Sequence, residues 1–153
     1  MSDGTPESAT PTTETTDGVQ DLALYGAWVV AIAATLGSLY YSEVRQFVPC
    51  TLCWYQRILM YPLVWLLGYA AWRRDPRVVG YALPLAGLGA AVAAFHVAEQ
   101  KIPGFGGIGA CSAGVPCSAA YVEYAGFVTI PVMAFTAFTL IGIGLAVVAT
   151  RRR

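Results

Sequence analysis

Four cysteines in two close pairs are the residues of this 153-residue chain best suited to chemistry. Cys50 and Cys53 form C-T-L-C within FVPCTLCWYQR, and Cys111 and Cys117 stand six positions apart in GACSAGVPCSAAY. A C-x-x-C unit serves as a dithiol–disulfide couple, as half of a zinc site, or as a structural bridge. Zinc would require both pairs to hold thiolates together in an oxidising compartment, and the second pair lacks the repeated C-x-x-C spacing, so no metal is expected. As staples the pairs close only short loops and add little entropic stability, whereas a bridge between distant segments would add more. Two compact pairs passing electrons in series is the favoured reading, and an inert bridge stays open, more so for the second pair. Exchange needs an attacking thiolate, an accessible sulfur and a competent leaving thiol.

Neighbouring residues sharpen that chemistry. C-T-L-C stands where a helix begins, so free amide hydrogens and the helix dipole lower a thiol pKa there. Arg57, one helical turn after Cys53, brings a fixed positive charge that stabilises a thiolate or a reduced acceptor; its alternative is an interface arginine with a snorkelling head. His96, the single histidine, either donates a proton or hydrogen bond to an acceptor or packs against a backbone carbonyl. Trp54 either stacks on a planar acceptor or joins Tyr40, Tyr41 and Tyr55 in an aromatic belt. Glu99, Lys101 and Glu123 read as solvated charges, and Pro49 and Pro116 as backbone-shaping residues before Cys50 and Cys117. The glycine fragments form no phosphate cradle for a nucleotide. A lipid-soluble acceptor, a quinone head group at the outer interface with Arg57 near its carbonyl, suits the placement better.

These residues must be positioned by membrane helices. The chain is 57% hydrophobic and only 12% charged, against about a quarter charged in ordinary soluble domains, which excludes a large soluble enzyme. Four apolar stretches, 22–41, 54–72, 78–98 and 125–150, approach the roughly 20 residues that span a bilayer. They predict an all-α integral membrane protein, a four-transmembrane-helix antiparallel bundle. Arg73, Arg74 and Arg77 between the second and third stretches, with Arg151 to Arg153 after the fourth, place both termini in the cytoplasm by the positive-inside rule. The loops that carry both cysteine pairs then face outward. Residues 1–21 hold five of the nine acids and almost no apolar side chain, which predicts a disordered acidic tail ahead of a membrane domain over 22–153. Apart from short arginine clusters no basic surface exists for nucleic acid.

The ordered set P-C-T-L-C-W-Y-Q-R (Pro49 to Arg57), the His96 to Gln100 segment, and C-S-A-G-V-P-C (Cys111 to Cys117) followed by G-F-V-T-I-P (Gly126 to Pro131) resembles the disulfide bond formation protein B family of membrane quinone reductases, in its short-looped form. The resemblance covers about residues 25–147. It implies an enzyme of the plasma membrane, a monomer, that reoxidises an extracytoplasmic thioredoxin-fold thiol oxidase and passes two electrons to ubiquinone or menaquinone. By the same resemblance Cys50 and Cys53 look like the quinone-proximal couple, with Cys53 the thiolate partner of quinone. Arg57 and His96 look like quinone-site residues. Cys111 would form the mixed disulfide with the partner, and Cys117 would exchange with Cys50. Long-looped relatives space the second pair farther apart. The alternatives are a vitamin K epoxide reductase-like enzyme, whose C-x-x-C typically lies late in the helical core, and a nonenzymatic scaffold with two structural disulfides.

Overall fold

The computed structural model describes residues 11–102, 116–117, 122–123 and 126–151, with side chains from residue 18 onward. Four long helices make up this part of the chain: α1 (Pro11–Leu39), α2 (Thr51–Arg73), α3 (Val79–Lys101) and α4 (Ile130–Thr150). A single π-helical turn, Tyr40–Val44, closes α1, and a short 3-10 turn, Pro76–Val78, leads into α3. The helices pack in a ring, α1 beside α2 and α4 and α3 beside the same two, while α2 and α4 touch little across the diagonal.

Polar ties fix which ends lie together. Asp21 near the start of α1 pairs with Arg74 at the end of α2 at 3.4 Å. Gln20 donates its side-chain amide to the Arg151 carbonyl at the end of α4 at 3.1 Å. The opposite end of the bundle carries the start of α2 and the end of α3, where Cys50, Cys53 and Cys117 sit.

Among the described residues three helical segments, Gly18–Val44, Pro76–Lys101 and Ile130–Thr150, are long and apolar enough to cross a membrane. This is one fewer than the four spans expected. At 23 residues α2 has the length, about 35 Å at 1.5 Å per residue. Its hydropathy falls short because Gln56, Arg57, Arg73 and several tyrosines and tryptophans interrupt the aliphatic run. The first helix also begins at Pro11, inside the stretch expected as a disordered tail. Proline at the first position suits a helix start, and Gln20 and Asp21 are held by the bonds above; residues 1–10 lie outside the described residues.

Small residues set the spacing of the bundle. Ala27, Ala31, Ala70, Ala82, Ala86 and Ala93 are buried at the helix crossings, where missing side-chain volume lets backbones approach. Leu63, Leu67, Phe138, Ile141 and Leu145 fill the remaining space with no exposure above 1%. A Cβ on Gly89 would overlap the Phe138 ring, whereas one on Gly87 would meet open space. Gly89→Ala is therefore expected to destabilise the bundle by about 1–3 kcal/mol through overpacking, seen as a lower thermal midpoint in detergent, and Gly87→Ala to leave that midpoint in place. Equal midpoints for the two variants would show that the ring yields.

Candidate redox site

The C-T-L-C pair is built into a helix start. Cys50 is the N-cap of α2 with extended backbone (φ −72°, ψ 171°), as expected of a residue that stops the chain from continuing a helix backward. Its sulfur takes the usual place of a capping oxygen and accepts from the Cys53 backbone N–H at 3.4 Å. Cys53 lies one turn on, its sulfur 2.8 Å from that of Cys50. This exceeds the roughly 2.05 Å of a covalent disulfide, and both cysteines are free. The pair is a dithiol whose sulfurs stand in place to form a disulfide once an acceptor takes two electrons.

Cys50 lies just outside α2, and its thiol is pulled from the ordinary value of 9.0 down to about 4. The hydrogen bond from the Cys53 thiol is the main cause; burial opposes it, and bonds from His96 and from the Cys53 amide assist. A group lowered this far is a thiolate at neutral pH and stays one until the pH falls to about 4. The thiolate ultraviolet absorbance of reduced protein, measured against Cys50→Ser, is thus expected to persist through mildly acidic pH and vanish near pH 4. Titration near the value of a free thiol would contradict the capping geometry.

His96, 2% exposed, faces this cap from the end of α3. Its Nε2 lies 3.2 Å from the Cys117 carbonyl and 3.7 Å from Cys50 Sγ. A carbonyl only accepts, so Nε2 carries the hydrogen. Nδ1 then accepts from the Gln56 side-chain amide at 3.0 Å. Cys117 is buried and disulfide-bonded; Cys111, expected as the member of its pair that meets the partner, lies outside the described residues. A ring nitrogen of His96 and the sulfurs of Cys50 and Cys117 all fall within 4.8 Å of one another. A metal would need Cys117 as a thiolate, and its sulfur is already engaged in a disulfide, so the cluster as it stands is arranged for sulfur exchange.

Cys53 packs against this cluster and also reaches beyond it. Together with Gln56 and Arg57 it lines a cavity of about 640 Å³ between α1, α2 and α4. The rest of the wall is mostly apolar, with Val30, Met60 and Phe138 deep and Tyr41, Phe47 and Phe127 nearer the cysteine end. Arg57 donates from Nε to Ser38 Oγ at 2.9 Å and from Nη2 to the Ser38 carbonyl at 3.0 Å, a fork that ties α2 to α1. Its guanidinium also lies over the Trp54 ring, 5.4 Å from the centroid. Trp54 is 53% exposed and, like His96, does not line the cavity.

Of the residues expected to act, Cys50, His96 and Cys117 come together on one side of the α2 start, and Cys53 and Arg57 on the other. Gln56 and Ser38 were missed. An amide beside Arg57 in an otherwise apolar helix was a signal for Gln56; nothing in the chain marked Ser38. Glu99, expected to be solvated, is only 5% exposed. The reason is that α3 continues to Lys101, so Glu99 lies one turn beyond His96 on the packed face. Lys101 and Glu123 are exposed, as expected.

A helical bundle with a capped dithiol between a second cysteine and an apolar cavity defines a membrane-type thiol oxidoreductase. The chain belongs to the DsbB family: the model for disulfide bond formation protein DsbB matches residues 20–149. It is 58% identical over 118 residues to disulfide bond formation protein C of Bacillus subtilis (strain 168), covering 77% of this chain and 86% of that one. It is 48% identical to probable disulfide formation protein C 1 of Bacillus cereus (81% and 89% covered) and 48% identical to a probable disulfide formation protein of Coxiella burnetii (78% and 82% covered). No solved structure matches the chain. Family and cysteine arrangement together make the protein a redox enzyme.

Proposed function

We propose that the protein reoxidises an extracytoplasmic thioredoxin-fold dithiol protein and delivers the two electrons to a membrane quinone, so sustaining disulfide formation in exported proteins. The observation that carries this reading is the two-sided placement of the C-T-L-C pair, Cys50 toward Cys117 and Cys53 toward the cavity. In this reading α2 is the fourth span, both termini are cytoplasmic because Arg73, Arg74, Arg77 and Arg151 gather at one end, and the cysteines face outward.

The cavity fits a quinone head group. It is large enough for a substituted ring, mostly apolar, and lined at one edge by Arg57 and Gln56. A bound quinone supplies a two-electron, two-proton acceptor. Cys53 and Arg57 would hold it, Arg57 by charge and Cys53 by sulfur contact. The chain's own steps are exchanges between sulfurs. The partner's thiolate attacks Cys111 and frees Cys117; the Cys117 thiolate attacks Cys50 Sγ in the closed Cys50–Cys53 disulfide, and the electron pair leaves on Cys53. Arg57, one turn from Cys53, balances the negative charge that arrives there.

The position of C-T-L-C at the start of α2 favours this reading over a vitamin K epoxide reductase-like one, and the free state of both its cysteines favours it over a scaffold with structural bridges. The test is turnover by purified protein in lipid with a reduced thioredoxin-fold protein, using menadione and a short-chain ubiquinone as acceptors. Quinol formed in step with oxidation of the dithiol is the expected result. Folded protein that turns over neither acceptor would make the scaffold the better reading.

A further inference from the structure

His96 meets the cavity through Gln56 and does not itself line it. Cys53, Gln56 and Arg57 line that cavity. What it does touch is the junction between the two cysteine pairs. Its Nε2–H meets the Cys117 carbonyl at 3.2 Å and stands 3.7 Å from Cys50 Sγ. Gln56 fixes the ring by donating to Nδ1 at 3.0 Å, which holds the hydrogen on Nε2. The ring is almost wholly buried, so both bonds are made away from water, where a hydrogen bond is stronger and an unpaired donor costly.

We infer that His96 is a positioning residue of the sulfur relay: its Nε2–H clasps the Cys117 backbone beside Cys50, and Gln56 holds the ring in the tautomer that does so. The inference rests on the relay reading above and deepens it by separating His96 from the acceptor site. The step it serves is one exchange, drawn here in the direction the observed redox state allows. The Cys50 thiolate attacks Cys117 Sγ, a Cys50–Cys117 bond forms, the existing Cys117 disulfide breaks, and the electron pair leaves on the other sulfur of that bond as a thiolate. Charge and electrons balance with no outside oxidant. The reverse of the same exchange passes electrons back through the same clasp. In either direction the N–H also faces the thiolate at Cys50, so one donor serves both the backbone it holds and the charge that reacts.

The two amides that resemble parts of an imidazole separate this role from others. Glutamine places its amide N–H near the position of Nε2, and asparagine places it near Nδ1. In a Cys53→Ser background, where Cys50 has no resolving neighbour, the Cys50–Cys117 bridge accumulates and is counted by mass spectrometry of alkylated, unreduced peptides. Adding His96→Asn is expected to lower the bridged-to-unbridged ratio by about tenfold, the effect of one hydrogen bond to a charged group. Adding His96→Gln is expected to keep most of it. Menadione affinity, titrated in the same proteins, is expected to be equal in all three.

A ratio unchanged by His96→Asn, or a loss that His96→Gln does not repair, overturns the clasp. Weakened menadione binding in His96→Asn overturns it as well, because it returns the histidine to the acceptor site. If His96→Asn loses its helical signal, His96→Gln is compared with His96→Met, which fills the space without an N–H. Failure of the relay reading looks different: no Cys50–Cys117 bridge forms even with His96 present, and wild-type protein yields no quinol.

Discussion

Cys53→Ser is expected to reduce quinol formation to background, a loss of at least about a thousandfold, as when a group that reacts directly is removed. The size follows from position. Among the cysteines of the described residues, Cys53 is the one placed against the cavity with Arg57, and in the proposed relay its sulfur is the leaving group when Cys50 is attacked. Serine keeps the shape of the first helical turn and leaves the Cys53 backbone N–H, which caps through Cys50 Sγ, untouched. The loss should therefore come without unfolding. The informative measurement pairs quinol formation with trapping of the partner. A mixed disulfide that still forms on the outer cysteines, with quinol absent, locates the break between the two halves of the relay. Quinol formation surviving in Cys53→Ser would remove Cys53 from the path and leave Cys50 as the direct donor.

Arg57→Gln is the second large effect: quinone KM is expected to rise about ten- to a hundredfold, the range for losing a hydrogen bond from a charged group. Two jobs meet in this side chain. The guanidinium faces the cavity, and its Nε and Nη2 hold the Ser38 hydroxyl and carbonyl of α1 as a fork. Lysine supplies the charge without the fork and without flat stacking over Trp54. Arg57→Lys is thus expected to recover part of the affinity but not the thermal midpoint, since the tie between α1 and α2 is still lost. If Arg57→Lys matches wild type in both, charge alone matters and the fork is incidental.

Much of the architecture was legible because apolar length is a coarse signal. Stretches of about 20 residues identified every helix of the bundle, even where α2 carries too much polarity to pass as a span by hydropathy alone. Ends were less legible. Hydropathy marks where a helix becomes apolar, not where it starts, so α1 begins at Pro11, eleven residues before Leu22, and α4 begins at Ile130, five residues after Ala125. For the site, the pairing of cysteines and the nearness of Arg57 were readable from spacing along one helix. The side to which each group turns was not. Whether His96 addresses the cavity or the cap depends on how α3 is rotated against α2, a property of packing between Ala86, Ala93 and their neighbours that leaves no local trace in the chain. Ser38 shows the same limit, since its contact with Arg57 spans two helices.

The capping of α2 by Cys50 has a consequence for leakage. One helical turn separates the two residues while their sulfurs lie 2.8 Å apart, which lets a single stretch of backbone present one contact to each of two compartments. In the proposed relay, protein thiols would arrive from water on the Cys117 side, and a hydrocarbon-soluble acceptor would enter the cavity among α1, α2 and α4. On that reading neither visitor would need to see the other, and a reactive ring would be shielded from stray thiols that add to it. Such an insulated connector also lets evolution retune the acceptor chamber to whatever carrier a membrane contains without disturbing the face that recognises the donor.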